Sequence, residues 1–133
     1  MLHFRYKKEI DRSGKAIFRP IADVWFKTSM GGWIELHPYI DSGADISLVP
    51  FSFGKLLGWK KIALTTEQIG GIGGSIEVLP IKWPIKIGPD VLIATIGWAQ
   101  DENVPALLGR QNIFDFFEIR FRQKTKEILF KKI

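Results

Sequence analysis

Two carboxylates and two hydroxyls stand inside one apolar, β-branched run, Ile40-Asp41-Ser42-Gly43-Ala44-Asp45-Ile46-Ser47-Leu48-Val49. A lone carboxylate taken out of water has to be paired, hydrogen-bonded or protonated. Ser42, Gly43 and Ala44 are small enough to let another chain segment close on the Asp41 carboxyl. Two carboxyl groups about 3 Å apart cannot both be ionised, so they share a proton and can act together as general acid and base. Asp41 reads as half of such a dyad.

Two further stretches carry unusual residues. Ile69-Gly70-Gly71-Ile72-Gly73-Gly74 is dense in glycine and lies between the apolar runs Ile62 to Ile69 and Ser75 to Leu79, which predicts a long hairpin with a glycine tip. It lacks the Lys-Ser/Thr of a phosphate-binding loop and the spacing of a dinucleotide fingerprint. Leu107-Leu108-Gly109-Arg110 is a short apolar run ending in a residue that permits close backbone contact. Singly, each stretch has a plain reading as a turn, a hairpin tip or ordinary packing. A phosphorylation motif over Asp41 to Ser47 conflicts with Tyr39, Ile40, Leu48 and Val49, which predict burial. His37 reads as a surface strand residue rather than a base.

In this order and at this rough spacing the three stretches resemble the retropepsins, a family of aspartic proteases, over about Ile34 to Phe117. The resemblance implies an all-β fold, a closed β-barrel of the acid protease type in a single lobe, with one short helix near the C-terminal third and residues 1–133 as one domain. It implies catalysis at Asp41, with Ser42 hydroxyls bonding across a dimer and Gly43 leaving room for substrate backbone. Ala44, Asp45 and the flap residues Gly70, Gly71, Ile72 and Gly73 are implied to meet an extended peptide. Leu108, Gly109 and Arg110 are implied to support the site from behind, with Arg110 paired to Asp45. Apolar pockets are expected to be lined by residues such as Ile46, Ile72 and Ile76.

The sequence holds one Asp-Ser-Gly triplet in 133 residues, so the second carboxylate has to come from another copy of the chain. That predicts a homodimer acting on protein or peptide substrates, with no metal and no cofactor. Two features depart from the viral pattern. Ser42 stands where Thr is commoner, and the ends are longer, whereas viral relatives build their dimer from short terminal strands. The competing expectation is a dimeric peptide-binding module of the same fold with little or no turnover.

The elements that must position these residues are short strands. Thirteen glycines and seven prolines spaced among Val/Ile/Phe/Trp-rich runs favour strands joined by turns over a helical bundle, and the length suits one domain. Asp11 to Lys15 supplies a turn for a terminal hairpin between Leu2–Lys8 and Ala16–Phe18. Ala22, Val24 and Phe26 alternate along a strand, Ser29 to Gly32 turns the chain, and Ile34, Leu36 and Ile40 line one face of a second strand that delivers Asp41 to its end. Pro50 to Gly58 permits a short helix or a turn and a half, with Gly54 against it. Ile81 to Ile87 alternate, and Pro84 argues for an edge or a bulge. Val91 to Trp98 reads as an inner strand, Ala99 to Pro105 as a loop, Arg110 to Phe117 as a short helix, and the two runs after it as a final hairpin.

The absence of cysteine excludes disulfides and thiol catalysis, and two histidines all but exclude a His/Cys zinc site. The net charge of +5 is dispersed along the chain with no recognition motif, so no nucleic-acid partner is expected. Nowhere do about eighteen apolar residues run together. No membrane span and a cytoplasmic location are therefore expected.

Overall fold

Alternating apolar residues between turn-forming clusters give a mostly β chain. The computed structural model describes residues 1–61, 67–71 and 74–133. Along them run β1 (Leu2–Arg5), β2 (Lys7–Ile10), β3 (Ala16–Arg19), β4 (Val24–Lys27), β5 (Trp33–Leu36), β6 (Tyr39–Ile40) and β7 (Ser47–Val49). Helix α1 (Phe51–Leu57) follows, then β8 (Glu67–Gly71), β9 (Gly74–Ile87), β10 (Asp90–Ala99), β11 (Leu107–Leu108), helix α2 (Ile113–Phe116), β12 (Phe117–Arg122) and β13 (Glu127–Lys132). Among the described residues no helix is long and apolar enough to cross a membrane.

The main sheet has the order β5-β4-β9-β10-β7-β11-β6, with β8 added on β9. β5 and β6 stand at opposite ends of that order, yet only His37 and Pro38 separate them in sequence. The sheet must therefore roll up until its ends come together, which makes a barrel-like wall around one core. Val24, Phe26, Ile85, Ile87 and Ile96 fill that core with no exposed surface. The single strand expected from Ile34 to Ile40 is two strands, because Pro38 has no N–H to extend the β4 ladder and the chain leaves β4 there.

β9 joins what the pattern suggested were separate runs into one strand of 14 residues. It is not an edge at Pro84, which pairs with Ile93 of β10. Instead, the β4 ladder on its other side stops at Phe26–Ile85, next to the proline. The Trp83 indole N–H donates to the Lys27 carbonyl at 2.5 Å and caps the strand where the ladder ends. Residues 62–66, at the start of the expected flap hairpin, lie outside the described residues.

β1, β13 and β12 form a separate three-stranded sheet in which Leu2 pairs with Phe130 and Phe130 with Ile119. The expected terminal hairpin is therefore smaller than its sequence span. β2 and β3 make it alone, while β1 turns away at the buried Tyr6, whose N–H donates to the Lys126 carbonyl at 2.9 Å. Edge-to-face contacts of Phe130 with Phe4 and Phe117, at 5.5 and 5.3 Å between ring centres, tie this sheet to the core.

Helix α1 forms in full despite Gly54, and Gly58 ends it in the left-handed region at φ 96°. Gly54 faces the buried Trp98 ring, and a β-carbon there would lie 2.6 Å from the indole Cδ1. A Gly to Ala change at an exposed helix position stabilises by about 1 kcal/mol. Here the sign should reverse: Gly54→Ala is expected to cost about 1–3 kcal/mol through overpacking, read as a lower urea midpoint.

Candidate active site

The site is built where β11 inserts between β6 and β7. β11 runs parallel to β6, with Leu107 beside Tyr39 and Leu108 beside Ile40, and antiparallel to β7, with Leu107 beside Leu48. Strands of two or three residues make few ladder bonds, so the flanking loops supply more. The Asp41 N–H donates to the Leu108 carbonyl at 2.9 Å, the Arg110 N–H to Ala44 at 2.9 Å, and the Gln111 N–H to Asp45 at 3.0 Å. Ser47 is fully buried, and its Oγ accepts the Gly109 N–H at 3.0 Å. A β-carbon on Gly109 would stand 2.6 Å from the Ile46 carbonyl carbon and 2.8 Å from the Ala44 oxygen, so only glycine lets the two segments close.

The Asp41 loop folds on its own carboxylate. The Gly43 N–H donates to Asp41 Oδ1 at 2.9 Å, and a β-carbon on Gly43 would crowd that oxygen at 3.3 Å. Oδ2 has no partner among the described residues. Asp41 is half-buried, whereas Ser42, Gly43 and Asp45 are exposed in the single chain. Burial of the whole polar run is thus not what the structure shows, since Ser47 alone of the four polar side chains is enclosed.

Arg110 reaches across the loop, donating to the Ser42 carbonyl at 2.5 Å and to the Asp45 carboxylate. With the Asp45 side chain 86% exposed, this is a surface ion pair that shapes the loop and adds little stability. It does not compensate charges beside the core.

A cavity of about 510 Å³ opens beside Asp41, walled by Ile40, Leu107, Pro105 and Pro20. Ile46 and Ile76, expected to line substrate pockets, are not among the walls of this cavity, and Ile72 lies outside the described residues. Its remaining walls are Glu9, Arg19 and Tyr39, which the sequence reading did not single out. The Tyr39 hydroxyl donates to Glu9, as do Arg19 Nε at 2.9 Å and, more loosely, Lys7 at 3.5 Å. The Tyr39 hydrogen bond first, then Arg19 and Lys7, hold the Glu9 carboxyl below its usual range, and the same bond raises Tyr39. No local signal marks these residues, because backbone bonds between distant segments bring them in. The Ile40 N–H donates to the Pro20 carbonyl at 3.0 Å, and Ile21 bridges Tyr39, so the end of β3 is carried along β6 to Asp41.

Gly70 and Gly71 pair across the β8–β9 hairpin with Ser75 and Gly74. Ile72 and Gly73 lie outside the described residues. The described residues of the hairpin pair β8 with β9 from Glu67–Val78 to Gly71–Gly74.

Two solved structures match this arrangement over most of their length. A retropepsin-like aspartic protease from Rickettsia conorii superposes with a TM-score of 0.69 at 17% identity, covering 97% of this chain and 99% of its own. EIAV protease complexed with the inhibitor HBY-793 superposes with a TM-score of 0.59 at 24% identity, covering 73% of this chain and 86% of its own. This chain has a retropepsin-like fold. No protein-family model matches it, and comparison with curated proteins finds no match. Within the retropepsin-like fold, the bacterial neighbour spans nearly the whole chain, whereas the viral one leaves about a quarter uncovered.

Two outcomes follow from this geometry. Ser47→Ala strands the buried Gly109 N–H and should cost about 1–3 kcal/mol in chemical denaturation, while Ser42→Ala at the exposed position should stay within about 0.5 kcal/mol of wild type. For Glu9 the folded value is lowered, so its contribution is complete above the unfolded value and disappears as pH falls through the lowered one. Between pH 7 and pH 3 the urea midpoint of wild type is therefore expected to drop further than that of Glu9→Gln.

Proposed function

We propose that this chain is an aspartic endopeptidase that cleaves extended polypeptides through a water activated by Asp41 and the Asp41 of a second copy. The observation that carries this reading is the Asp41 carboxyl itself. Gly43 holds one oxygen, the other is unpartnered among the described residues, and the group stands half-buried beside a cavity of about 510 Å³. Support for the reaction class comes from the two neighbours of the same fold, one a viral protease and the other a retropepsin-like aspartic protease.

In the proposed mechanism one carboxylate of the pair takes a proton from the water, and the other, protonated, donates to the oxygen of the scissile carbonyl. The water attacks directly, so no covalent intermediate forms on the protein. Two copies are needed because each chain supplies one such carboxyl, and the residues that would face the two-fold axis, Ser42 and Gly43, are exposed in the single chain. Ser42 hydroxyls would then bond across the axis, and Asp45 would meet the peptide main chain. The hairpin carrying Gly70, Gly71, Ile72 and Gly73 would hold an extended substrate by strand addition. Leu108, Gly109 and Arg110 would keep the loop in place, and residues 1–133 would act as one domain.

Wild type and Asp41→Asn incubated with a mixed peptide library between about pH 4 and 7 separate this from a peptide-binding module. New termini are expected with wild type and none with the variant; cleavage by neither, or by both alike, overturns the reading. Titrating Asp41→Asn into a fixed amount of wild type should lower turnover as mixed dimers form, whereas a site complete in one chain would be unaffected.

A further inference from the structure

We propose that the end of the molecule where the β4–β5 turn meets the last turn of α1 docks on an anionic lipid bilayer, Met30 and Leu56 entering its apolar boundary while lysines face lipid phosphates. The inference is independent of the reading of Asp41. Three stretches come together at this end. The Ser29 N–H donates to the Leu57 carbonyl at 3.0 Å and joins the turn to α1, and the bond from the Trp83 indole to Lys27 joins β9 to β4. Trp59 and Trp83 meet edge to face at 5.4 Å between ring centres, and both line a cavity of about 430 Å³ together with Lys60 and Lys82.

From this base two apolar side chains project into water, Met30 at 93% exposure and Leu56 at 62%. Their backbones are fixed. The Thr28 N–H donates to the Gly32 carbonyl at 2.8 Å and closes the turn, and Leu57 next to Leu56 is fully buried. The charge around them has one sign. Residues 24–34, 46–61 and 78–84 hold five lysines, Lys27, Lys55, Lys60, Lys61 and Lys82, and no carboxylate. All five are exposed. Lys61 pairs with Glu77, and the other four have no ion pair among the described residues. Projecting apolar side chains among unpaired cations complement an anionic bilayer, whose fluid boundary takes up methylenes while its phosphates take ammonium groups. A nucleic acid would supply the phosphates but nothing apolar for Met30 and Leu56. A protein would need a socket shaped to both projections, which a fluid boundary does not.

Sedimentation of the full chain with lipid vesicles tests this. Wild type should pellet with vesicles of phosphatidylcholine and phosphatidylglycerol, less so as salt rises, and stay in solution with phosphatidylcholine alone. Removing a lysine near the surface should weaken partition about fivefold, so the double variant Lys60→Ala/Lys82→Ala should lose about 25-fold. Met30→Ser/Leu56→Ser, which keeps every charge, should also lose most of the binding. Lys124→Ala/Lys131→Ala removes the same charge from the distant β12–β13 hairpin and should leave partition close to wild type. All substituted side chains are exposed, so an unchanged urea midpoint shows that each variant is folded. Failure of wild type to pellet with the anionic vesicles overturns the proposal. So does an equal loss in both lysine pairs, which would make net charge alone responsible. Binding that ignores Met30→Ser/Leu56→Ser marks a plain polyanion contact, as to nucleic acid, and overturns the bilayer as well.

Discussion

The geometry around Asp41 depends on a two-residue strand being accepted between two others that belong to distant parts of the chain. β11 brings polar backbone into a wall of the core, and each buried N–H and carbonyl it carries needs a partner. The Leu108 carbonyl finds the Asp41 N–H, and the Gly109 N–H finds the Ser47 hydroxyl. These bonds form only because Gly109 lacks a side chain where Ala44 and Ile46 press against it. The carboxyl is therefore aimed by main-chain bonds from both sides, and not by the rotamer of one side chain alone.

What the residues disclosed was local. The Asp41 turn, the close approach at Gly109, the β2–β3 and β12–β13 hairpins and the inner strand β10 all follow from period-two alternation and turn chemistry within a few residues. What they concealed was non-local. Gly54 reads as a helix breaker but is the space Trp98 occupies, and Pro84 reads as an edge marker but lies where one ladder of an interior strand stops. Tyr39 meets Glu9 from 30 positions away, which no short window contains, whereas Glu9 and Arg19 face each other across the β2–β3 hairpin 10 positions apart. The apolar setting of Asp41 to Ser47 overstated burial, because a tight turn lifts Ser42 and Asp45 out of the wall formed by their neighbours.

The basic character of the chain is likewise spent locally. Lys86 lies over Trp33 at 4.8 Å and near Trp25 at 5.7 Å, and Lys27 lies 5.7 Å from Trp33. Lys132 sits 5.4 Å from the Phe116 ring and 3.4 Å from Asp90. In each case the ammonium nitrogen lies over an aromatic face, where the ring quadrupole attracts it. Positive charge is consequently spread over several aromatic clusters, which fits its dispersal in the sequence.

The three-stranded sheet of β1, β13 and β12 sets a timetable. Leu2 meets Phe130, a partner 128 positions later, so β1 has to wait for its β13 ladder until that distant segment has been made. Contacts of such long range pay their loop-closure entropy before they return any stability. The β2–β3 hairpin can close early, but β1 waits for β13, leaving Phe4 uncovered and a strand edge unpaired until then. For this chain, protection from aggregation during that interval depends on how fast β13 arrives.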